Sequence, residues 1–139
     1  SSISIMGTRA LIAYQNSRTI YEANLLNYDG YPEHMKEVLP TIDTLKKVKE
    51  IVKAGELREI QSYDDYDVFD DPIIKPGKPK KFLNWSDLCD YAKRSVDYVY
   101  IYVDNKRLKK GSWIVYDVDD MKDDPHNIKL DDENQINCY

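Results

Sequence analysis

The segment Tyr98-Val99-Tyr100-Ile101-Tyr102-Val103 decides the fold of this 139-residue chain, because tyrosine alternates with β-branched residues along its whole length. Aromatic and β-branched side chains favour extended backbone, so the segment predicts a β-strand. A basic turn follows at residues 105–111, and residues 112–118 predict the partner strand. Two such strands joined by a turn form an antiparallel hairpin.

A second hairpin is predicted near the start of the chain. Residues 9–14 form a short apolar run, residues 16–18 a polar turn, and residues 19–27 a second strand-like segment. The turn Asp29-Gly30-Tyr31-Pro32 ends the hairpin, because glycine tolerates positive φ and proline is favoured at the first position of a helix.

A helical stripe follows that turn. Apolar residues recur at spacings of mostly three and four from Met35 to Val52, and Pro40 lies inside the stripe. A proline inside a helix costs about 3 kcal/mol, so we expect a kink or two helices, divided near Leu39. Gly55 is a suitable end for the helical region.

The middle of the chain predicts three further elements. Residues 57–62 predict a short strand, and residues 63–81, which are acidic and aromatic at first and then rich in proline and lysine, predict a long surface loop. Residues 85–96 again show helical spacing of apolar side chains. Asn84 is the expected N-cap of this helix.

The predicted order of elements is β-β-α(α)-β-loop-α-β-β, which is typical of an α+β fold. We expect one antiparallel sheet of two hairpins with the helices packed on one face. Residues 6–118 would form this single domain, and residues 119–139 an acidic tail that is mobile or ordered by a partner. Residues 1–5 are expected to be a non-native remnant, because Met6 and the residues after it look like a natural start.

Composition and charge narrow the functional classes. The net charge of −5 disfavours direct binding to nucleic acid. Cys89 and Cys138 have no spacing that indicates a disulfide framework or a zinc site, which favours a reducing intracellular compartment. No apolar stretch is long enough for a membrane helix. The chain has no GxSxG, HExxH, P-loop or GxGxxG motif, so we expect neither an enzyme nor a cofactor or metal.

Three stretches carry a resemblance to known proteins. The opening Met6-Gly7-Thr8-Arg9-Ala10-Leu11-Ile12, the Asp29-Gly30-Tyr31-Pro32 turn and the late Tyr100-Ile101-Tyr102 strand look like those of small bacteriophage accessory proteins. Those proteins carry a His-Trp pair where this chain has Asn27-Tyr28, so no role that needs the histidine carries over. The resemblance implies a phage protein in the cytoplasm of an infected host cell, where many such proteins inhibit a host or antiviral-defence protein.

Two acidic segments are the predicted partner-binding surface. Arrays of carboxylates can imitate DNA phosphates and occupy the cleft of a DNA-binding protein, in a manner sensitive to salt. The alternative interpretation is that both segments are solvent-exposed loops that only aid solubility. The residues concerned are Tyr63, Asp64, Asp65, Tyr66, Asp67, Phe69, Asp70 and Asp71 in the loop, and Asp117, Asp119, Asp120, Asp123 and Asp124 in the tail.

Two alternatives belong to other functional classes. The first is a binder of an anionic small molecule or nucleotide, or a weak enzyme acting on one, at the strand-to-helix turn, with Arg9 as the anion partner beside Tyr28, Asp29, Gly30 and Tyr31. The second is a structural homodimer that uses the tyrosine strand. The residues of the first site are also those that an ordinary turn requires. The tyrosines of the second could equally pack against a helix of the same chain.

Overall fold

The computed structural model describes residues 7–65 and 73–139. The expected remnant at residues 1–5 lies outside this part of the chain. So do five residues of the predicted acidic loop, namely Tyr66, Asp67, Phe69, Asp70 and Asp71.

The described residues form eight strands and three α-helices. The strands are β1 (Ala10–Gln15), β2 (Tyr21–Leu26), β3 (Glu56–Leu57), β4 (Ile73–Lys75), β5 (Lys80–Phe82), β6 (Tyr98–Val103), β7 (Ser112–Asp117) and β8 (Gln135–Asn137). The helices are α1 (Pro32–Val38), α2 (Leu45–Ala54) and α3 (Trp85–Ser95). The predicted α+β class is therefore confirmed.

Local signals set the ends of the helices. The helical region divides at Pro40, where a 3-10 turn, Leu39–Thr41, separates α1 from α2. The side chain of Thr44 accepts a 3.3 Å hydrogen bond from the Lys47 N–H and caps α2. Asn84 caps α3 as expected, because its side-chain oxygen accepts a 2.8 Å bond from the Asp87 N–H.

Both predicted hairpins are present, since β1 pairs antiparallel with β2 and β6 pairs antiparallel with β7. The strand order is β4-β3-β2-β1-β6-β7-β8, and β5 pairs with β2 beside β3. The hairpins meet through β1 and β6, which run parallel, and β2 and β3 are also parallel. The expectation of a wholly antiparallel sheet was wrong in this respect, because α3 returns the chain across the sheet between β5 and β6.

The helices pack on both faces of the sheet, so the expectation of one covered face was also wrong. On one face, α1 and α2 cover Ile12, Tyr14 and Tyr100. On the other face, α3 covers Leu11 and Ile101. The physical reason is that β1 and β6 are apolar at consecutive positions, which is typical of strands buried on both sides.

The segment after β7 is part of the domain and differs from the expected tail. Val118 and Met121 are buried in the core on the α3 face. The indole N–H of Trp85 donates a 3.1 Å hydrogen bond to the carbonyl of Lys122. The chain ends in β8, which pairs antiparallel with β7. The buried apolar side chains and the pairing of β8 therefore order this segment, although its high charge predicts a solvated tail.

Among the described residues, the three helices are all too short or too polar to cross a lipid bilayer.

Candidate functional site

The described part of the acidic loop lies against α2. Its anchor is Tyr63, whose backbone N–H donates a 2.8 Å bond to the Thr41 hydroxyl and whose own hydroxyl donates to the Glu50 carboxylate. The ammonium of Lys47 lies 4.9 Å from the centre of the Tyr63 ring. Asp64 is exposed beside this anchor. Tyr63 therefore packs against α2, and the carboxylate of Asp64 is exposed to solvent.

We call Asp117, Asp119, Asp120, Asp123 and Asp124 the acidic surface. Its backbone is held by local hydrogen bonds as well as by the buried Met121. The Asp117 carboxylate accepts a 3.0 Å bond from the Asp119 N–H, and the Asp124 carboxylate accepts bonds of 2.9 and 3.1 Å from the next N–H groups, those of His126 and Asn127. The carboxylates of Asp119, Asp120 and Asp123 remain exposed.

The acidic surface makes the potential beneath it negative. Burial, and after it the charge of Asp124, raises the pKa of Tyr21 to about 12. Burial is also the main cause that raises the pKa of Tyr98, and Asp117 is the strongest of the charges that add to it. Negative charges disfavour a tyrosinate, so Asp124 acts on Tyr21 on the α3 face, whereas Asp117 acts on Tyr98, which packs on the α2 face.

The buried anchors of the two predicted acidic segments pack on opposite faces of the sheet in the part of the chain that is described. Tyr63 packs on the α2 face, whereas Val118 and Met121 pack on the α3 face. The anchors of the loop and of the acidic surface are therefore on opposite sides of the sheet, whereas Asp117, which pairs with Tyr98, is on the α2 side. Sequence reasoning missed this separation because it depends on which face each connection crosses.

The strand-to-helix turn is held by close backbone packing. Asp29 has a φ of 59°. Gly30 lies so close to β1 that a Cβ atom at this position would be 2.7 Å from the Cβ of Ala10. The Gly30 N–H donates a 3.1 Å hydrogen bond to the Thr8 carbonyl, while Tyr28 is exposed. Gly30 is thus explained by close approach of two backbone segments.

Arg9, the expected anion partner, bonds to groups of the protein itself. Its Nε–H donates a 3.1 Å bond to the side-chain oxygen of Asn27, and its Nη1 donates a 3.2 Å bond to the carbonyl of Ser95. Asn27 in turn donates 3.1 Å to the carboxylate of Glu56. Arg9 therefore joins the end of β2 to the end of α3, and an anion at the turn would have to compete with these bonds.

The tyrosine strand faces the interior. Tyr100 is fully buried and Tyr102 is 3% exposed. Their hydroxyls donate to the carbonyls of Gly30, at 2.6 Å, and Asp43, at 3.1 Å. A homodimer formed through these rings would have to displace the layer of helices that covers them.

The cysteines lie in separate cores. Cys89 packs on the α3 face, and Cys138 packs against the α2 face. Both are free thiols. Burial, which outweighs the opposing charge of Lys93, raises the pKa of Cys89 to about 11. Within residues 7–65 and 73–139, no three His, Cys, Asp or Glu side chains converge on a point where they would hold a metal ion.

Sequence reasoning missed a cleft of about 430 Å³ at the carboxyl ends of β1 and β6. Gln15 and Arg18 line it from the first hairpin, Asp104 and Lys106 from the second, and His126 from the C-terminal segment. The sequence does show that polar residues directly follow both strands, which is the one feature from which a site here could have been predicted. Only the parallel pairing of β1 with β6 places them together.

The chain matches no protein-family model, no curated protein and no solved structure.

Proposed function

We propose that this protein is a phage-encoded, non-enzymatic binding protein that inhibits a host or antiviral-defence protein by presenting the acidic surface to a basic site. The observation that carries the proposal is that Asp119 and Asp120 are exposed between the buried Val118 and Met121, and that Asp123 is exposed two residues after Met121. The expected target is a protein that itself binds DNA, since such proteins carry basic clefts.

A rigid array of carboxylates favours this mode of binding for an energetic reason. A disordered acidic tail would have to lose conformational entropy on binding, at a cost of several kcal/mol. Here Val118, Met121 and the bond from Trp85 to the Lys122 carbonyl already order the backbone. Because less conformational entropy is lost on binding, a larger part of the electrostatic attraction contributes to the affinity.

Net charge supports a protein target over nucleic acid. At −5 the domain as a whole repels phosphate backbones, whereas it is attracted to a basic cleft. The resemblance of the opening strand and turn to phage accessory proteins supports the cytoplasm of an infected bacterium as the place of action.

The test is capture of partners from a lysate of the bacterial host on the immobilised full chain, with release by salt or by double-stranded DNA and identification by mass spectrometry. The test variant carries Asp119→Asn, Asp120→Asn and Asp123→Asn. These side chains are exposed, so the fold should be kept. Asp117 and Asp124 are left intact because their carboxylates accept backbone hydrogen bonds.

A matched control removes three exposed carboxylates elsewhere, through Glu37→Gln, Glu59→Gln and Asp132→Asn. We expect one stoichiometric partner that salt and DNA both release, that the test variant loses and that the control retains. Absence of any partner at low and high salt would contradict the proposal, as would a partner that the test variant still binds.

A further inference from the structure

We propose that the cleft at the carboxyl ends of β1 and β6, the strand-end cleft, binds a small ligand of the nucleoside monophosphate class. This inference is independent of the proposed inhibitory role, because it uses a different surface and different residues. The anion site that the sequence offers as an alternative is at the turn that contains Gly30. The strand-end cleft lies at the opposite end of β1 from that turn.

The position of the cleft follows from the sheet. β1 and β6 are adjacent, central and parallel, so both chains leave the sheet at the same edge. One continues into the turn before β2 and the other into the turn before β7, which leaves a crevice between them. The crevice is therefore lined by the residues that follow both strands. Its volume of about 430 Å³ lies within the usual range for small-molecule sites.

The walls of the cleft are mainly apolar and aromatic, as in most small-molecule sites. They are formed by Tyr14, Leu45, Ile101, Tyr102, Val103 and Pro125. The hydroxyl of Tyr14 donates a 2.6 Å hydrogen bond to the Glu22 carboxylate, and the hydroxyl of Tyr102 donates to the Asp43 carbonyl. Tyr14, Ile101 and Tyr102 are at most 3% exposed and form the floor of the cleft. The apolar surface open to a planar base comes from Leu45, Val103 and Pro125.

The rim supplies the charges that a nucleotide needs. Arg18 and Lys106 are exposed cations, and neither forms an ion pair among the residues that the structure describes. Guanidinium and ammonium groups are the usual partners of a phosphate. Asp104 is the carboxylate of the rim, and a carboxylate in such a site accepts hydrogen bonds from ribose hydroxyls. The rim therefore offers two cations to a phosphate and one carboxylate to a sugar, and Asp104 Oδ1 also accepts a 3.3 Å bond from the Tyr102 hydroxyl.

One wall of the cleft is closed by Gln15. Its Nε2 donates to the Arg18 carbonyl, and its Oε1 lies 3.0 Å from His126 Nε2. Both ends of the Gln15 amide therefore have protein partners. Gln15 therefore joins the first hairpin turn to the C-terminal segment before any ligand arrives. A wall formed in advance lowers the entropy lost on binding.

The surroundings favour a small ligand over a nucleic-acid strand. Asp123 and Asp124 immediately precede Pro125 and His126, so a strand extending past the cleft would meet these carboxylates. A mononucleotide ends within the cleft and avoids them.

The test is a titration of the full ¹⁵N-labelled chain with AMP, GMP, CMP and UMP in turn, followed by amide chemical shifts. Separate titrations use the corresponding nucleosides and inorganic phosphate. We expect saturable shifts at residues 15–18, 104–106 and 125–126 for at least one nucleotide, with a Kd below about 1 mM. The nucleoside and inorganic phosphate should each bind at least about tenfold more weakly, because each lacks one half of the contacts.

The variants Arg18→Gln and Lys106→Gln should each weaken nucleotide binding about tenfold, since each removes a charged hydrogen-bond donor. Arg107→Gln is the matched control, because Arg107 is an exposed cation of the same turn that does not line the cleft. The proposal is overturned if no nucleotide saturates, if the shifts lie elsewhere, if phosphate binds as tightly as the nucleotides, or if the control weakens binding equally.

Discussion

The hydroxyl of Tyr100 donates a 2.6 Å hydrogen bond to the carbonyl oxygen of Gly30. Both residues are buried, so the bond joins the central strand β6 to the turn that precedes α1 in a place without water. Tyr100→Phe would leave this carbonyl unpaired and should lower the free energy of unfolding by about 1–3 kcal/mol in urea denaturation. Tyr98→Phe is the control, because Tyr98 is half-buried; an equal loss in both variants would contradict the role of the bond.

Gly30→Ala should destabilise the protein by about 1–3 kcal/mol, since the new Cβ would overlap with the Cβ of Ala10 at 2.7 Å. Ala10→Gly should restore part of that loss in the double variant, because it removes the atom that is overlapped. Thermal melting of the two single variants and the double variant measures this coupling. Strict additivity of the two losses would refute the steric explanation.

Met121→Ala tests whether the segment after β7 belongs to the domain. Met121 is 3% exposed, and its truncation should lower the free energy of unfolding by about 2–4 kcal/mol. Leu130→Ala, in the same segment but at a side chain that is 44% exposed, should change it by less than about 0.5 kcal/mol. If Met121→Ala proved as neutral as Leu130→Ala, the segment would behave as a tail.

Asp43 should make the free energy of unfolding depend on pH in the acidic range. Burial alone would raise the pKa of this carboxyl, but bonds from Lys47 and Lys110, at 3.0 and 3.3 Å, outweigh it and lower the pKa. A lowered pKa in the folded state gives stability that is complete above the ordinary carboxyl pKa of about 3.9 and is lost as pH falls through the folded value.

Asp43→Asn should therefore be less stable than the wild type by roughly 1–2 kcal/mol at pH 7, and the difference should shrink below about pH 4. Urea denaturation at pH 7, 4 and 3 measures it. Asp132→Asn, at an exposed position, should show no such trend. A difference that stays constant with pH would mean that the charge of Asp43 contributes nothing.

The two thiols should react slowly while the protein is folded. Burial is the main cause that raises the pKa of both Cys89 and Cys138 to about 11, which leaves little thiolate at pH 8. Modification by a disulfide reagent should be about a hundredfold slower than in the urea-unfolded chain, where the pKa is about 8.5. Rapid labelling of either thiol in the folded protein would contradict the burial that the structure assigns to it.

Local elements could be read from the residues themselves. Pro40 divides the helical region because a proline inside a helix removes a backbone hydrogen bond, and Asn84 begins α3 because its side chain bonds to the backbone three residues later. The same holds for the tyrosine strand and for both hairpins, whose partners are close in sequence. The acidic character of residues 117–124 also follows from the sequence, and their role in binding stays a prediction.

The relationships between distant segments were decided only in the tertiary structure. The parallel pairing of β1 with β6 depends on the path of α3 across the sheet, and that path is set by where apolar area can be buried on two faces at once. That pairing brings Arg18, Lys106 and His126 to one cleft. It also leaves Tyr63, the anchor of the acidic loop, and Met121, the anchor of the acidic surface, on opposite sides of the sheet. Residue type and spacing determine elements a few residues long, because their hydrogen bonds are local. Which elements become neighbours depends on burial summed over the whole chain.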